Sequence, residues 1–305
     1  MTNLAVQLIN TVTSWFWSSP DKSNFFVDNS LQDSPDAHTR QLLHDFQHII
    51  KENRLRIEYQ PIVSLDNANT LGWEALTRGP ADSYFSSPLA LFSFAEEVGM
   101  LYTLERTCRH LALQGMPNLG QQQLFLNIDP QTINDPHFVK GETKAILESL
   151  GLTPANIVFE LTERRSIQDF STFRKSLKHY RDQGYLIAVD DAGAGYSSLQ
   201  SIVELHPDYI KMDMSLVRNV DTDTVKRALL ETFVTFAQKV NCQIIAEGIE
   251  TPQELETLIN LGITLGQGYY LARPALPPLP INKAAVATIA CSPGNCLSIC
   301  HKPEQ

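Results

Sequence analysis

Eight short apolar runs, most of them rich in β-branched or aromatic residues, recur along the chain at Ile57–Val63, Leu71–Leu76, Leu124–Ile128, Ile157–Leu161, Leu186–Val189, Tyr209–Met212, Gln243–Ala246 and Ile263–Gly268. Between most of them lie segments of helical period, among them Lys144–Leu150, Phe170–Asp182, Thr224–Val240 and Pro252–Leu261. The last opens with Thr251 and Glu254 at capping-box spacing. A strand followed by a helix, repeated, predicts an α/β fold with a mainly parallel sheet. Eight repeats in about 230 residues give roughly 29 residues per unit, which suits a closed (β/α)8, TIM-like barrel better than an open doubly wound sheet.

Composition narrows the function. With 43% hydrophobic and 19% charged residues, the 305-residue chain can build a large core. Its 24 Lys and Arg against 34 Asp and Glu leave a net charge of −10, which excludes a duplex nucleic-acid binder, since counterion release requires clustered cations. No apolar run is long enough to span a bilayer. The N-terminus lacks a basic region, and its apolar stretch is interrupted by Gln7, Asn10, Thr11 and Thr13, unlike a secretory signal. Five unevenly spaced cysteines do not make a disulfide scaffold, so a reducing, cytoplasmic setting is expected, with Cys108 and Cys242 as core thiols.

The flanks are read separately from the barrel, which is expected over residues 38–280 and led in by a helical pattern of Leu42, Leu43, Phe46, Ile49 and Ile50. Residues 1–37 form a tail: Leu4, Leu8, Val12, Trp15 and Phe16 share one helical face. No Lys or Arg precedes Lys22, which argues against membrane contact through this segment. Residues 281–305 carry Cys291, Cys296, Cys300 and His301. Adjacent Cys300 and His301 fit poorly on two corners of one tetrahedron, so an unstructured tail is expected rather than a zinc site.

Polar residues close several apolar runs. Asn127 follows Leu124–Leu126, Glu160 follows Ile157–Phe159, Asp190 and Asp191 follow Leu186–Val189, and Glu247 follows Ile244–Ala246. In a barrel the strand ends converge on one mouth, so these residues and Glu74 would form one cluster. So many carboxylates repel one another unless cations lie between them, and oxygen donors without His or Cys select Mg²⁺ or Mn²⁺ over Zn²⁺. Two such ions could polarise a phosphodiester and activate a water. Lys211 and Arg78 are the cations of the set. Two plainer readings stand beside this one: Lys211 could pair with Asp213, and single strand-end acids could cap the following helices. Gly193-Ala194-Gly195 lacks the third glycine of a dinucleotide loop, and no zincin, serine-hydrolase or Cys-x-x-Cys motif is present.

Taken in order, Tyr59-Gln60-Pro61-Ile62-Val63, Gly72-Trp73-Glu74-Ala75-Leu76-Thr77-Arg78, Leu126-Asn127-Ile128, Glu160-Leu161-Thr162-Glu163, Asp190-Asp191-Ala192-Gly193-Ala194-Gly195, Ile210-Lys211-Met212-Asp213, Ala246-Glu247-Gly248-Ile249-Glu250-Thr251 and Gln267-Gly268-Tyr269 resemble the EAL domain of cyclic di-GMP phosphodiesterases, over about Thr39–Pro274. The resemblance implies a modified barrel whose first strand is antiparallel to the rest. It also implies hydrolysis of cyclic di-GMP to linear pGpG with two Mg²⁺ or Mn²⁺ ions. Glu74, Asn127, Glu160 and Asp190 would hold one ion, and Asp190, Asp191 and Glu247 the second. Lys211 would orient the attacking water, Glu247 would be the general base and Gln267 would support the water network. Gln60, Leu76 and Arg78 would contact substrate, and Glu163 would anchor the loop after the Asp pair. A homodimer is implied as well.

The chain departs from the family at Ala192, where Phe is usual, at Ala194, often Thr, and at Gly79-Pro80 after Arg78. Because every implied metal ligand is retained, an active enzyme is expected; the alternative is a non-catalytic cyclic di-GMP receptor or protein-interaction domain. Deleting residues 1–36 is expected to leave pGpG production within a few-fold of the full chain in a chromatographic assay. A shortened protein that folds but does not turn over would place the segment within the catalytic unit.

Overall fold

A computed structural model describes residues 37–116, 119–162, 177–193 and 206–292. Glu163, residues 194–205, residues 1–36 and Cys296, Cys300 and His301 lie outside the described residues, as does most of the helix expected over 170–182. The chain divides into two units, residues 1–45 and 46–305, and the barrel lies in the second.

The strands are Arg56–Ser64 (β1), Thr70–Arg78 (β2), Gln123–Ile128 (β3), Ile157–Thr162 (β4), Leu186–Ala192 (β5), Tyr209–Met212 (β6), Gln243–Ala246 (β7) and Leu265–Gly266 (β8). They close in sequence order. From β2 round to β8 the neighbours are parallel, whereas β1 runs antiparallel to both β2 and β8. The reversal follows from the link between β1 and β2. Residues 65–69 form a tight turn in which Ala68 adopts a positive φ, and a turn of that length joins only antiparallel strands. Every other link carries the dozen or more residues that a parallel crossover needs.

Side chains alternate across each strand, and the barrel uses that period of two to stack an apolar layer beneath a polar one. Ile62, Phe125, Val158, Ala188, Tyr209, Ile245 and Leu265 pack together inside the barrel. Two residues along on the same strands, or just past their ends, come Gln60, Asn127, Glu160, Asp190, Lys211, Glu247 and Gln267. The outer faces of the strands carry a second and a third apolar cluster against the helices, around Phe159, Tyr180 and Tyr185 on one side and Met212, Leu255 and Leu258 on the other.

Packing extends past position 280, where the sequence reading ends the barrel. Asn282 Oδ1 accepts the Ala284 N–H at 3.0 Å and starts a helix over Lys283–Cys291, whose Ala285 and Ile289, one turn apart, are buried in the core. Cys291 is therefore the exposed end of a helix, and its proposed companions in the tail lie beyond the described residues.

One helix also ties down two loops at the barrel mouth. The helix Pro252–Asn260 begins with the predicted capping box between Thr251 and Glu254. The buried Glu254 carboxylate accepts the backbone N–H groups of Glu250 (2.9 Å) and Thr251 (3.1 Å), and also that of Asn219 (3.0 Å) from the loop after β6. Glu254→Ala leaves three donors without their acceptor and is expected to destabilise the fold by about 3 kcal/mol, read as a lower urea midpoint with unchanged slope.

Candidate active site

Lys211 is the centre of the polar layer. It points inward from the middle of β6 and is 1% exposed, so its ammonium has almost no water. Four carboxylates replace that water. Glu160 Oε1 and Glu247 Oε1 lie at 2.8 Å from Nζ, Asp190 Oδ1 at 3.0 Å and Glu74 Oε1 at 3.6 Å. Burial alone would favour the neutral amine, but Asp190, Glu160, Glu247 and Glu74 outweigh it and hold the lysine charged well above its usual range. The alternative pairing of Lys211 with Asp213 is not formed. Asp213 instead caps the next turn, its Oδ1 accepting the Ser215 N–H at 2.9 Å, as strand-end acids often do.

Asp190 and Asp191 pose a geometric problem, because adjacent strand residues face opposite sides. The register of β5 against β6 shifts between Val189 and Ala192, and Asp191 takes a left-handed φ of 56°. That bulge turns both acids toward the mouth, where Asp190, Asp191 and Glu247 each offer an oxygen within 4.8 Å of the others. Ala192, where the family usually has Phe, is fully buried and paired with Met212.

Amide groups orient the remaining carboxylate. Gln267 Nε2 donates to Glu74 Oε2 at 2.7 Å and to Gln60 Oε1 at 3.1 Å, and Gln60 Nε2 donates to Ala272 O at 3.0 Å. Asn127 Nδ2 reaches Glu74 Oε1 only at 3.5 Å. Arg78 stands apart from the cluster at the end of β2, where its Nε donates to Glu58 Oε2 at 3.0 Å, and Leu76 lies half-buried two residues before it.

Five carboxylates around one ammonium leave four negative charges at the mouth when all are ionised, the charge that two divalent cations would balance. One buried oxygen, Glu160 Oε2, lacks a hydrogen bond from the protein among the described residues. The donor set is all oxygen, which suits Mg²⁺, Mn²⁺ or Ca²⁺. The cluster therefore fits hard divalent ions.

Without such ions the excess charge is met by protons. Burial, then the neighbouring charges of Asp190 and Glu74, push Glu247 up to about 8 against the opposing pull of Lys211, and burial raises Glu160 as well. The folded protein thus holds protons that the unfolded chain releases near the ordinary carboxylate range, so this contribution to stability is present at low pH and lost as pH rises toward 8. A cation competes with the same protons. Mn²⁺ affinity, followed by titration calorimetry between pH 6 and 9, is expected to rise by up to about tenfold per unit for each proton displaced and to level off above pH 8.

Glu74, Glu160, Asp190, Lys211 and Glu247, expected at one mouth, stand within contact distance there, and comparisons with known proteins identify the family. The EAL domain family matches residues 43–274. The chain is 32% identical over 223 residues to the probable cyclic di-GMP phosphodiesterase PdeG of Escherichia coli K12, a match covering 71% of this chain and 44% of that protein. Among solved structures, the manganese and cyclic di-GMP complex of BlrP1 from Klebsiella pneumoniae superposes with a TM-score of 0.66 at 33% identity, over 73% of this chain and 56% of that one. A standalone EAL protein from Vibrio cholerae O395, bound to c-di-GMP, gives a TM-score of 0.68 at 28% identity, over 76% and 97%. The chain spans less than half the length of PdeG. No helix among the described residues is long and apolar enough to cross a membrane.

Proposed function

The chain belongs to the EAL domain family, and on that premise we propose that it hydrolyses cyclic di-GMP to linear pGpG with two divalent cations, Mg²⁺ or Mn²⁺. The observation that carries this reading is the five-carboxylate mouth built around the buried Lys211 ammonium. When bound, a pair of divalent ions polarises a phosphodiester and lowers the pKa of a water. Glu74, Asn127, Glu160 and Asp190 would hold one ion, and Asp190, Asp191 and Glu247 the other.

The chain's own residues divide the remaining work. Lys211, held 2.8 Å from Glu247, orients the attacking water, and the carboxylate of Glu247 takes its proton. Gln267 fixes the rotamer of Glu74 and, through Gln60, joins the metal side of the mouth to the substrate side. Gln60, Leu76 and Arg78 line that substrate side, where Arg78, half-buried beside Glu58, places a guanidinium on the rim of an otherwise acidic mouth. Such a charge suits a phosphodiester. Glu163, as anchor of the loop after Asp191, and pairing of two copies belong to the same reading on the family resemblance alone.

A chromatographic assay of pGpG release in Mg²⁺ or Mn²⁺ tests the proposal. Glu74→Ala is expected to lower turnover at least 100-fold while leaving the circular dichroism spectrum native, since the carboxylate it removes meets Gln267 and Lys211 at the mouth. Ca²⁺ is expected to inhibit, because its longer bonds and looser geometry alter the spacing that in-line attack requires. Binding of cyclic di-GMP without pGpG at saturating Mn²⁺ would favour a receptor.

A further inference from the structure

Helix Leu101–Gly115 gives no side chain to the carboxylate cluster, yet it buries two charged residues one turn apart, Glu105 at 5% exposure and Arg109 at 8%. Buried charges of this kind are kept where they hold something. Glu105 Oε1 accepts the backbone N–H of Asp129 at 2.6 Å, a short bond from a helix to a loop 24 residues away in sequence. Asp129 lies two residues past Asn127. Its own carboxylate accepts the Gln131 N–H at 2.8 Å, and its carbonyl accepts Thr132 Oγ1 at 2.7 Å. The chain leaving β3 is therefore fixed by Glu105 from the helix side and by its own turn from the other.

Asn127 needs such a fixture. Within the cluster it makes only the 3.5 Å approach to Glu74 among the described residues, and it is exposed. A cavity of about 30 Å³, lined by Thr77, Glu105, Cys108, Arg109 and Leu126, reaches Asn127, so packing on that flank does not hold it. Its position is set through the backbone.

We propose that Glu105 is a positioning residue for Asn127, clamping the end of β3 through the Asp129 N–H so that the Asn127 amide oxygen is presented to a divalent ion. The inference rests on Asn127 being a metal ligand. Residues that orient ligands in this way commonly change metal affinity by about 10- to 100-fold when altered.

The test is Mn²⁺ binding to the full chain by titration calorimetry, with thermal melting alongside. Glu105→Asp keeps the carboxyl but, one methylene shorter, cannot span to Asp129, and is expected to weaken Mn²⁺ at one site about tenfold. Glu105→Gln keeps the reach and an acceptor oxygen, and is expected to stay within about threefold of the parent. In an Asn127→Ala background, Glu105→Asp is expected to cause no further loss. A native melt with unchanged Mn²⁺ affinity in Glu105→Asp overturns the proposal while leaving the metal site standing. Unchanged affinity in Asn127→Ala alone overturns the ligand assignment, and the proposal with it. Should Glu105→Asp fail to fold, Thr132→Val removes the hydroxyl that meets both the Asp129 carbonyl and the Glu105 carboxyl: a several-fold loss of Mn²⁺ affinity supports the clamp, and none overturns it.

Discussion

The ammonium of Lys211 in a water-free pocket governs how the barrel can be put together. Removing one such ion from water costs several kcal/mol, and its carboxylate partners bear a similar penalty, so the group is tolerable only if all of them arrive within contact distance. They come from β2, β4, β5 and the end of β7, four separate segments. Slipping any of those strands by one residue would turn its acid to the outer face and bury an apolar side chain among charges. The same interaction that prepares the site thus penalises every wrong register. It also makes the cluster a poor source of stability, since its acids repel one another and are relieved by protons or cations.

Much of this could be read in the chain because the site is written in the same period as the core. Ile245 and Glu247, or Val158 and Glu160, are two residues apart, so recognising the strand places the acid on the inner face and at the mouth together. The antiparallel β1 was expected only through the family resemblance, although the five-residue turn from Leu65 to Asn69 is its physical cause. Strand lengths were less legible: Ile263–Gly268 reads as one run, but only Leu265–Gly266 pairs as strand.

What could not be read depends on contacts between distant segments or on single backbone torsions. The doublet Asp190-Asp191 is ambiguous under strict alternation, and the bulge that resolves it has no signature in the two side chains themselves. Lys211 and Asp213 share a face on paper, yet the lysine finds its partners on β2, β4, β5 and at the end of β7. Glu105 carries no signal at all, because its acceptor role is to a backbone N–H on another element and any polar residue type could occupy Asp129's place in that bond. The helix at Lys283–Cys291 was hidden by the proline-rich stretch before it, from which a loose tail is the natural expectation.

The reversed first strand has one more consequence, for the route by which the chain enters the barrel. In an all-parallel barrel the first strand starts on the face remote from the site. Here Arg56, the first residue of β1, pairs with Arg78, the last residue of β2, so the polypeptide arrives at the catalytic rim itself. Residues 46–55 therefore feed directly into the strand that carries Gln60, and a displacement there reaches the mouth without crossing the barrel's height of about 20 Å. Only three residues lie between Arg56 and Gln60, whose amide Gln267 bonds together with Glu74. The topology makes the upstream chain a short lever on the site.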